Sequence, residues 1–138
     1  MVKVLLLSHG TLCAEMLKTM KLIVGDVTGF EAVVQPEDGN MTLYESSIAQ
    51  QLMDGEDTLV ITDLLGGSPL ITVAKVYGEH QQQLQGKVKI ITGMNLGMLL
   101  EVHGSLATSS LDELADTAVK AGQTSVTDFL ENMRRNQA

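Results

Sequence analysis

Aromatic residues are nearly absent from this chain of 138 residues, which contains no Trp, two Tyr and two Phe. Proteins that bind single-stranded nucleic acid stack the bases on aromatic side chains, so this scarcity argues against such a surface. The chain also has only one cysteine, Cys13, which excludes an internal disulfide and is typical of a reducing compartment. Because Cys13 lies in an apolar stretch, we expect a small buried residue rather than a catalytic thiol.

Positive charge is scarce as well, with nine Lys and Arg against 17 Asp and Glu and a net charge of −8. Such a surface repels nucleic-acid phosphates and anionic lipids, which argues against both as direct partners. No stretch approaches the roughly 20 apolar residues of a membrane span. The apolar start, Met1 to Leu7, is too short for a signal peptide. We therefore expect one cytoplasmic domain, spanning residues 1–138, around an aliphatic core.

Patterns typical of strands and of helices alternate along the chain. Val2 to Ser8 is a continuous apolar run, as in a strand buried on both faces. Thr11 to Val24 has apolar residues at helical spacing and ends at Gly25. The same criteria predict strands at Phe30–Val34, Thr58–Thr62 and Lys87–Thr92, and helices at Met41–Met53, Pro69–Gln82, Met98–Leu106 and Leu111–Ala121.

This alternation predicts an α/β fold, a single three-layer domain with a flavodoxin-like, mainly parallel sheet in the order 2-1-3-4. The segment after Gly122 fits either a helix or an antiparallel C-terminal edge strand, and the pattern alone leaves both open. In sheets of this kind ligands bind beyond the carboxyl ends of the strands, where the strand order reverses. Here that point lies between the first and third strands.

Two polar residues follow those two strands. His9 comes at the end of the first strand and Asp63 at the end of the third, so the predicted topology places them side by side. A carboxylate beside an imidazole fixes which ring nitrogen carries the proton and leaves the other as a nucleophile. For an isolated histidine a structural role is the better interpretation, but the paired strand ends favour an activated nucleophile.

A glycine-rich segment follows Asp63. Pro69 suits the start of a helix and favours an extended Ser68 as its N-cap. Gly66 and Gly67 would then lead into a helix N-terminus, where free N–H groups and the helix dipole attract anions. An ordinary capped helix explains these four residues equally well on their own, but the expected proximity to His9 favours an anion site.

The remaining motifs are weaker. Asn95 lies in a loop after the fourth strand and is either a turn residue or a contact on the site rim, where we also place Gly10. His80 and His103 lack the spacing of a zinc site, so we expect no metal. The chain has neither a Walker A motif nor a G-x-G-x-x-G motif, so we expect no nucleotide cofactor. A phosphoryl group would have to come from another phosphoprotein.

Three segments together resemble the enzyme IIA domain of the mannose family of the bacterial sugar phosphotransferase system. They are Val4 to Gly10, Asp63 to Pro69 and Thr92 to Glu101, in the family's order and with similar spacing. Many family members have a proline near Asn95, where this chain has Gly97. The phosphotransferase subunit of dihydroxyacetone kinase is a related alternative, but the second and third segments favour the sugar-transport branch.

The resemblance implies that His9 is the phosphorylated residue, Asp63 its hydrogen-bonded partner and Ser68 a phosphate-loop residue. It implies phosphoryl transfer from the phosphocarrier HPr to a IIB component, which phosphorylates a sugar that enters through the membrane components IIC and IID. It also implies a homodimer that exchanges a C-terminal edge strand. The sugar is not identified by the sequence, since specificity belongs largely to the partners.

Two other functions fit the same fold. A signalling receiver domain phosphorylates an aspartate at the position of Asp63, but it needs an acidic pair where this chain has Ser8 and His9. A regulatory module without catalytic activity would not need both His9 and Asp63. We therefore expect a phosphoryl carrier.

Overall fold

The computed structural model describes residues 1–137, so of the predicted domain only Ala138 lies outside the described residues. Strands and helices alternate along the chain, as the sequence pattern predicts. The strands are β1 (Lys3–Ser8), β2 (Phe30–Val34), β3 (Thr58–Thr62) and β4 (Val88–Ile91). The helices are α1 (Leu12–Val24), α2 (Met41–Leu52), α3 (Ser68–His80), α4 (Leu96–Ser105), α5 (Leu111–Thr124) and α6 (Phe129–Asn136), with a short 3₁₀ turn at Gln81–Gln83.

The four strands form one parallel sheet in the order β2-β1-β3-β4, which confirms the predicted topology. Strand β1 is central, and Leu7 lies opposite Thr62 of β3. The carboxyl ends of β1 and β3 are therefore neighbours at the position where the strand order reverses. His9 lies two residues after Leu7 and Asp63 one residue after Thr62, so the sheet register itself brings them together.

Each face of the sheet carries a separate aliphatic core. Side chains of β1 and β3 alternate between the two faces, as they do in any extended strand. Leu6 and Ile61 pack with α1, α4 and α5 on one face, whereas Leu5 and Val60 pack with α2 and α3 on the other. Cys13 is buried in the first core with a free thiol, as expected. Both faces of the central strands are thus covered, which explains their continuous apolar sequence.

The C-terminal segment is helical rather than an edge strand. Asp128 caps α6 through a hydrogen bond from the backbone N–H of Glu131. Arg134 then pairs with Glu131 on the helix surface. These local interactions favour a helix, whereas a lone edge strand here would need a neighbour for its backbone groups. Within residues 1–137, no helix is both long and apolar enough to cross a membrane.

Candidate functional site

The centre of the site is a hydrogen-bonded pair formed by His9 and Asp63. One carboxylate oxygen, Oδ2 of Asp63, accepts hydrogen bonds from the backbone N–H and from ring Nδ1 of His9, both at 2.9 Å. The imidazole is 49% exposed and the carboxyl group only 11%. The structure thus brings together the two residues that the sequence predicts, with the ring open to solvent and its partner largely enclosed.

The electrostatics of this pair leave one ring nitrogen of His9 free. Burial of Asp63 disfavours its charged form, but the two hydrogen bonds and the charge of His9 lower the pKa of this carboxyl group below its ordinary value. Ionised Asp63 can only accept, so in the neutral ring Nδ1 carries the proton. The second nitrogen, Nε2, then keeps its lone pair. This geometry therefore leaves Nε2 as the ring nitrogen that can act as a nucleophile.

The turn from β1 into α1 holds His9 in place. Ser8 is fully buried, and its hydroxyl accepts a 2.7 Å hydrogen bond from the backbone N–H of Cys13 in the first turn of α1. Gly10 adopts a positive φ of 53°, which side chains other than glycine rarely tolerate. The chain therefore reverses directly after His9, which leaves the ring at the outer edge of the sheet.

The N-terminus of α3 begins one residue earlier than predicted. Gly67, with φ −74° and ψ 165°, is the N-cap, and Ser68 is the first helical residue. The prediction that Ser68 is the N-cap was therefore wrong. Gly66, at φ 80°, turns the chain so that Gly67 already has the extended backbone of a cap. Pro69 still lies in the first turn, where its missing N–H has no consequence.

Gly67 lies directly against the ring of His9. A Cβ atom at this position would be 2.6 Å from Cε1 and 3.3 Å from Nε2 of His9. The free nitrogen therefore lies beside the N-terminus of α3, whose first N–H groups have no acceptor within the helix. The anion site that the sequence predicts is thus adjacent to the predicted nucleophile.

Gln35, directly after β2, is a residue of this site that the sequence interpretation missed. Its Nε2 donates a 3.0 Å hydrogen bond to the hydroxyl oxygen of Ser68. The hydroxyl proton of Ser68 remains available to an anion. The sequence offered one indication, the position of Gln35 directly after β2. This strand is the neighbour of β1 on the side opposite to β3.

Asn95 has a structural role. It is the N-cap of α4, and its side-chain oxygen accepts from the backbone N–H of Met98 at 2.9 Å. Its amide also donates to the carbonyl of Gly122 in α5, at 3.2 Å. Both ends of the side chain are therefore engaged, which favours the turn-residue alternative over a direct contact with a ligand.

The other two histidines are held by backbone carbonyls. Ring Nδ1 of His80 donates to Val76, and Nε2 of His103 donates to Asp26. Both side chains are half-buried. Among residues 1–137, no three His, Cys, Asp or Glu residues cluster in a way that could hold a metal ion.

Three exposed leucines lie in the segments that follow β1 and β3, and we name them the apolar rim. Leu12 begins α1, while Leu64 and Leu65 lie in the loop that joins Asp63 to Gly67. They are 45%, 58% and 77% exposed, respectively. Exposed apolar side chains of this size in the segments that carry a candidate site favour a protein-docking surface.

Comparison with known proteins gives a family match over most of the chain. The model of the EIIA-man family, described as the PTS system fructose IIA component, matches residues 3–119. This range contains His9, Asp63 and the N-terminus of α3, and it excludes α6.

Solved structures with the same fold include three phosphotransferase components. The EIIA component from Streptococcus agalactiae is 25% identical, with a TM-score of 0.85, and the match covers 95% of this chain and 99% of that one. The mannose/sorbose-specific IIA subunit from Enterococcus faecalis is 28% identical, with a TM-score of 0.71 and coverage of 91% and 92%. A PTS IIA protein associated with the fucose utilization operon of Streptococcus pneumoniae is 24% identical, with a TM-score of 0.77 and coverage of 96% of both chains, and supports the fold.

Proposed function

Because the chain belongs to the EIIA-man family of phosphotransferase-system components, which act in sugar uptake, we propose that it carries a phosphoryl group on His9. The donor is phospho-HPr and the acceptor is the cognate IIB component. The observation that carries this proposal is the pairing of Nδ1 with Asp63, which leaves Nε2 as an exposed nucleophile beside a helix N-terminus.

The proposed reaction is an in-line displacement at phosphorus. The lone pair of Nε2 forms the new N–P bond while the phosphorus–nitrogen bond of the donor histidine breaks, and the donor keeps that electron pair. The ring of His9 then carries positive charge with a proton still on Nδ1. The carboxylate of Asp63, already hydrogen-bonded to that proton, stabilises the charge without moving.

The first turn of α3 supplies a cradle for the transferred group. Phosphoryl transfer depends mainly on positioning and on charge stabilisation. A group on Nε2 would lie next to Gly67, with the backbone N–H of Ser68 and the hydroxyl of Ser68 directed from the helix N-terminus. Gly66 shapes the turn, so Gly66, Gly67 and Ser68 together are the proposed phosphate-binding residues.

Both partners would dock on the apolar rim, because each must reach the same nitrogen. We expect Leu65→Ser to raise the KM for phospho-HPr about fivefold, since part of one leucine's buried area is lost on docking. The matched control is Leu22→Ser, at an 87% exposed position near the C-terminal end of α1, whereas Leu12 of the rim lies at the N-terminal end of that helix. Steady-state transfer kinetics check this, and an unchanged KM for Leu65→Ser would argue against docking at the rim.

The proposal includes a homodimer in the cytoplasm, where phospho-HPr would be available. Strand β4 pairs only with β3 in the part of the chain that the structure describes, so its other edge is open to pairing. Three apolar residues of the C-terminal segment, Val126, Phe129 and Leu130, are 80%, 67% and 74% exposed. The open edge of β4 and these three exposed side chains support contact with a second copy of the chain.

The decisive experiment is incubation of the protein with labelled phospho-HPr, followed by stability tests on the label and mapping of the labelled peptide. We expect one label per chain, on the peptide containing His9, that is lost in acid and stable in base. A label lost in base would indicate an acyl phosphate on Asp63, as in a receiver domain. No label would indicate a regulatory module without transfer activity. Either result would overturn the proposal.

The geometry already disfavours phosphorylation of Asp63. Its Oδ2 accepts two hydrogen bonds from His9, and its Oδ1 is buried. Both observations support His9 rather than Asp63 as the proposed acceptor.

A further inference from the structure

Three buried polar side-chain atoms have no hydrogen-bond partner among the residues described. They are the hydroxyl of Tyr44, Oγ1 of Thr62 and Oδ1 of Asp63. Tyr44 is 1% exposed and Thr62 is fully buried. Buried polar atoms are nearly always paired in native proteins, with protein groups or with an ordered water, because an unpaired one is costly. The three atoms therefore call for a common explanation.

The sheet register places Tyr44 and Thr62 on the same side of the sheet. Thr62 lies opposite Leu7, and side chains opposite each other in parallel strands share a face. Leu7 packs in the same core as Tyr44 of α2. The Thr62 hydroxyl therefore faces the layer that holds Tyr44.

Asp63 lies within electrostatic range of the same tyrosine. Burial, followed by the charges of Cys13 and Asp63, raises the pKa of Tyr44 far above its ordinary value. The phenol thus keeps its proton and remains a hydrogen-bond donor at neutral pH. Since no direct hydrogen bond joins Tyr44 to Asp63, a contact between them requires a bridging group.

We propose that Tyr44 is a positioning residue for the transfer reaction and acts through a buried water. The Tyr44 hydroxyl donates to this water, the water donates to Oδ1 of Asp63, and Thr62 is its third partner. Three protein partners are the usual number for a buried water. This inference rests on the proposed function in one respect, namely that Asp63 orients a nucleophilic His9.

The effect on His9 follows from the two oxygens of the Asp63 carboxylate. Oδ2 holds both the backbone N–H and the Nδ1 of His9. A carboxylate that is anchored only through Oδ2 can rotate about its last bond and misalign that oxygen. A hydrogen bond to Oδ1 restrains this rotation, so that Nδ1 keeps its proton and Nε2 stays directed past Gly67.

The test compares the two tyrosines of the chain. Tyr44→Phe removes only the hydroxyl, and we expect it to lower the transfer rate from phospho-HPr about tenfold, the size expected for the loss of one buried hydrogen bond. Tyr77→Phe is the matched control, because Tyr77 packs at the edge of the same core and lies outside the site. It should transfer within about twofold of wild type. Thr62→Val, which keeps the side-chain shape, should lower the transfer rate about threefold, since the water still accepts from Tyr44 and donates to Asp63.

Nitrogen-15 NMR of His9 in the unphosphorylated protein separates positioning from a general effect on stability. Wild type and Tyr77→Phe should show a single tautomer with the proton on Nδ1, and Tyr44→Phe a mixture of both. Unchanged nitrogen shifts in Tyr44→Phe would overturn the proposal, whatever its transfer rate. If wild type takes up no label, the proposed function fails, but the NMR comparison still decides the role of Tyr44.

Discussion

Replacement of His9 by glutamine is expected to abolish phosphoryl uptake, with labelling by phospho-HPr reduced at least about 1000-fold. The glutamine amide can still donate to Oδ2 of Asp63, so the carboxylate keeps a partner and the fold is preserved. What is lost is the lone pair of Nε2, the exposed nucleophile beside Gly67. Circular dichroism should show an unchanged helix content, and the label should fall to background.

His80→Gln provides the control for this result. His80 lies at the end of α3, and its ring donates to the carbonyl of Val76, far along the helix from the site at its N-terminus. Labelling of this variant should match that of wild type. If His9→Gln were labelled as efficiently as His80→Gln, His9 would not be the carrier.

Replacement of Gly67 by alanine is expected to slow transfer about 100-fold, since a displacement of about 1 Å at a reacting group has effects of this size. The new Cβ would be 2.6 Å from Cε1 of His9, so the ring must move. The backbone of Gly67, at φ −74°, suits alanine, so strain in the main chain is not the cause. Transfer kinetics and a urea unfolding curve are measured on the same variant. Slow transfer with unchanged unfolding indicates a displaced ring rather than an unfolded protein.

Gly78 offers the matched control on the same helix. It lies inside α3, and a Cβ there meets no atom within 4 Å. Gly78→Ala should transfer at the wild-type rate and raise the free energy of unfolding by up to about 1 kcal/mol, because alanine favours the helix. Equal transfer rates for Gly67→Ala and Gly78→Ala would show that contact with His9 does not limit the reaction.

The sequence predicts the sheet order and the pairing of His9 with Asp63 because both follow from the alternation of strand and helix patterns along the chain. Continuous apolar runs mark strands that are buried on both faces, and alternation with helices imposes parallel pairing. Once β1 and β3 are neighbours, His9 and Asp63 must meet at the carboxyl ends of these strands. No property of either residue alone is needed for this inference.

The closer contacts of the site could not be predicted in this way. The distance between Gly67 and the His9 ring depends on where α3 begins, and a shift of one residue moved the N-cap from Ser68 to Gly67. Gln35, which follows β2, contacts Ser68 across 33 residues of sequence, a separation that carries no periodic signal. Such contacts follow from packing, which only the three-dimensional structure provides.

The C-terminal segment shows a different limit of prediction from a hydrophobic pattern. Val126, Phe129 and Met133 fit both an amphipathic helix and an edge strand when read as a pattern. The choice of helix depends on the Asp128 cap and the pairing of Arg134 with Glu131, which are local and modest in energy. In such a segment these local interactions, rather than the hydrophobic pattern, decide between helix and strand.

The half-exposed ring of His9 has a consequence for the kinetics of the relay. If His9 is the carrier, as proposed, one nitrogen must meet both donor and acceptor, and the two partners cannot occupy the protein at the same time. Turnover should then follow a ping-pong scheme, in which the donor binds the unphosphorylated form and the acceptor binds the phosphorylated form. The flux of phosphate towards sugar would then be set by the relative amounts of the two partners in the cell.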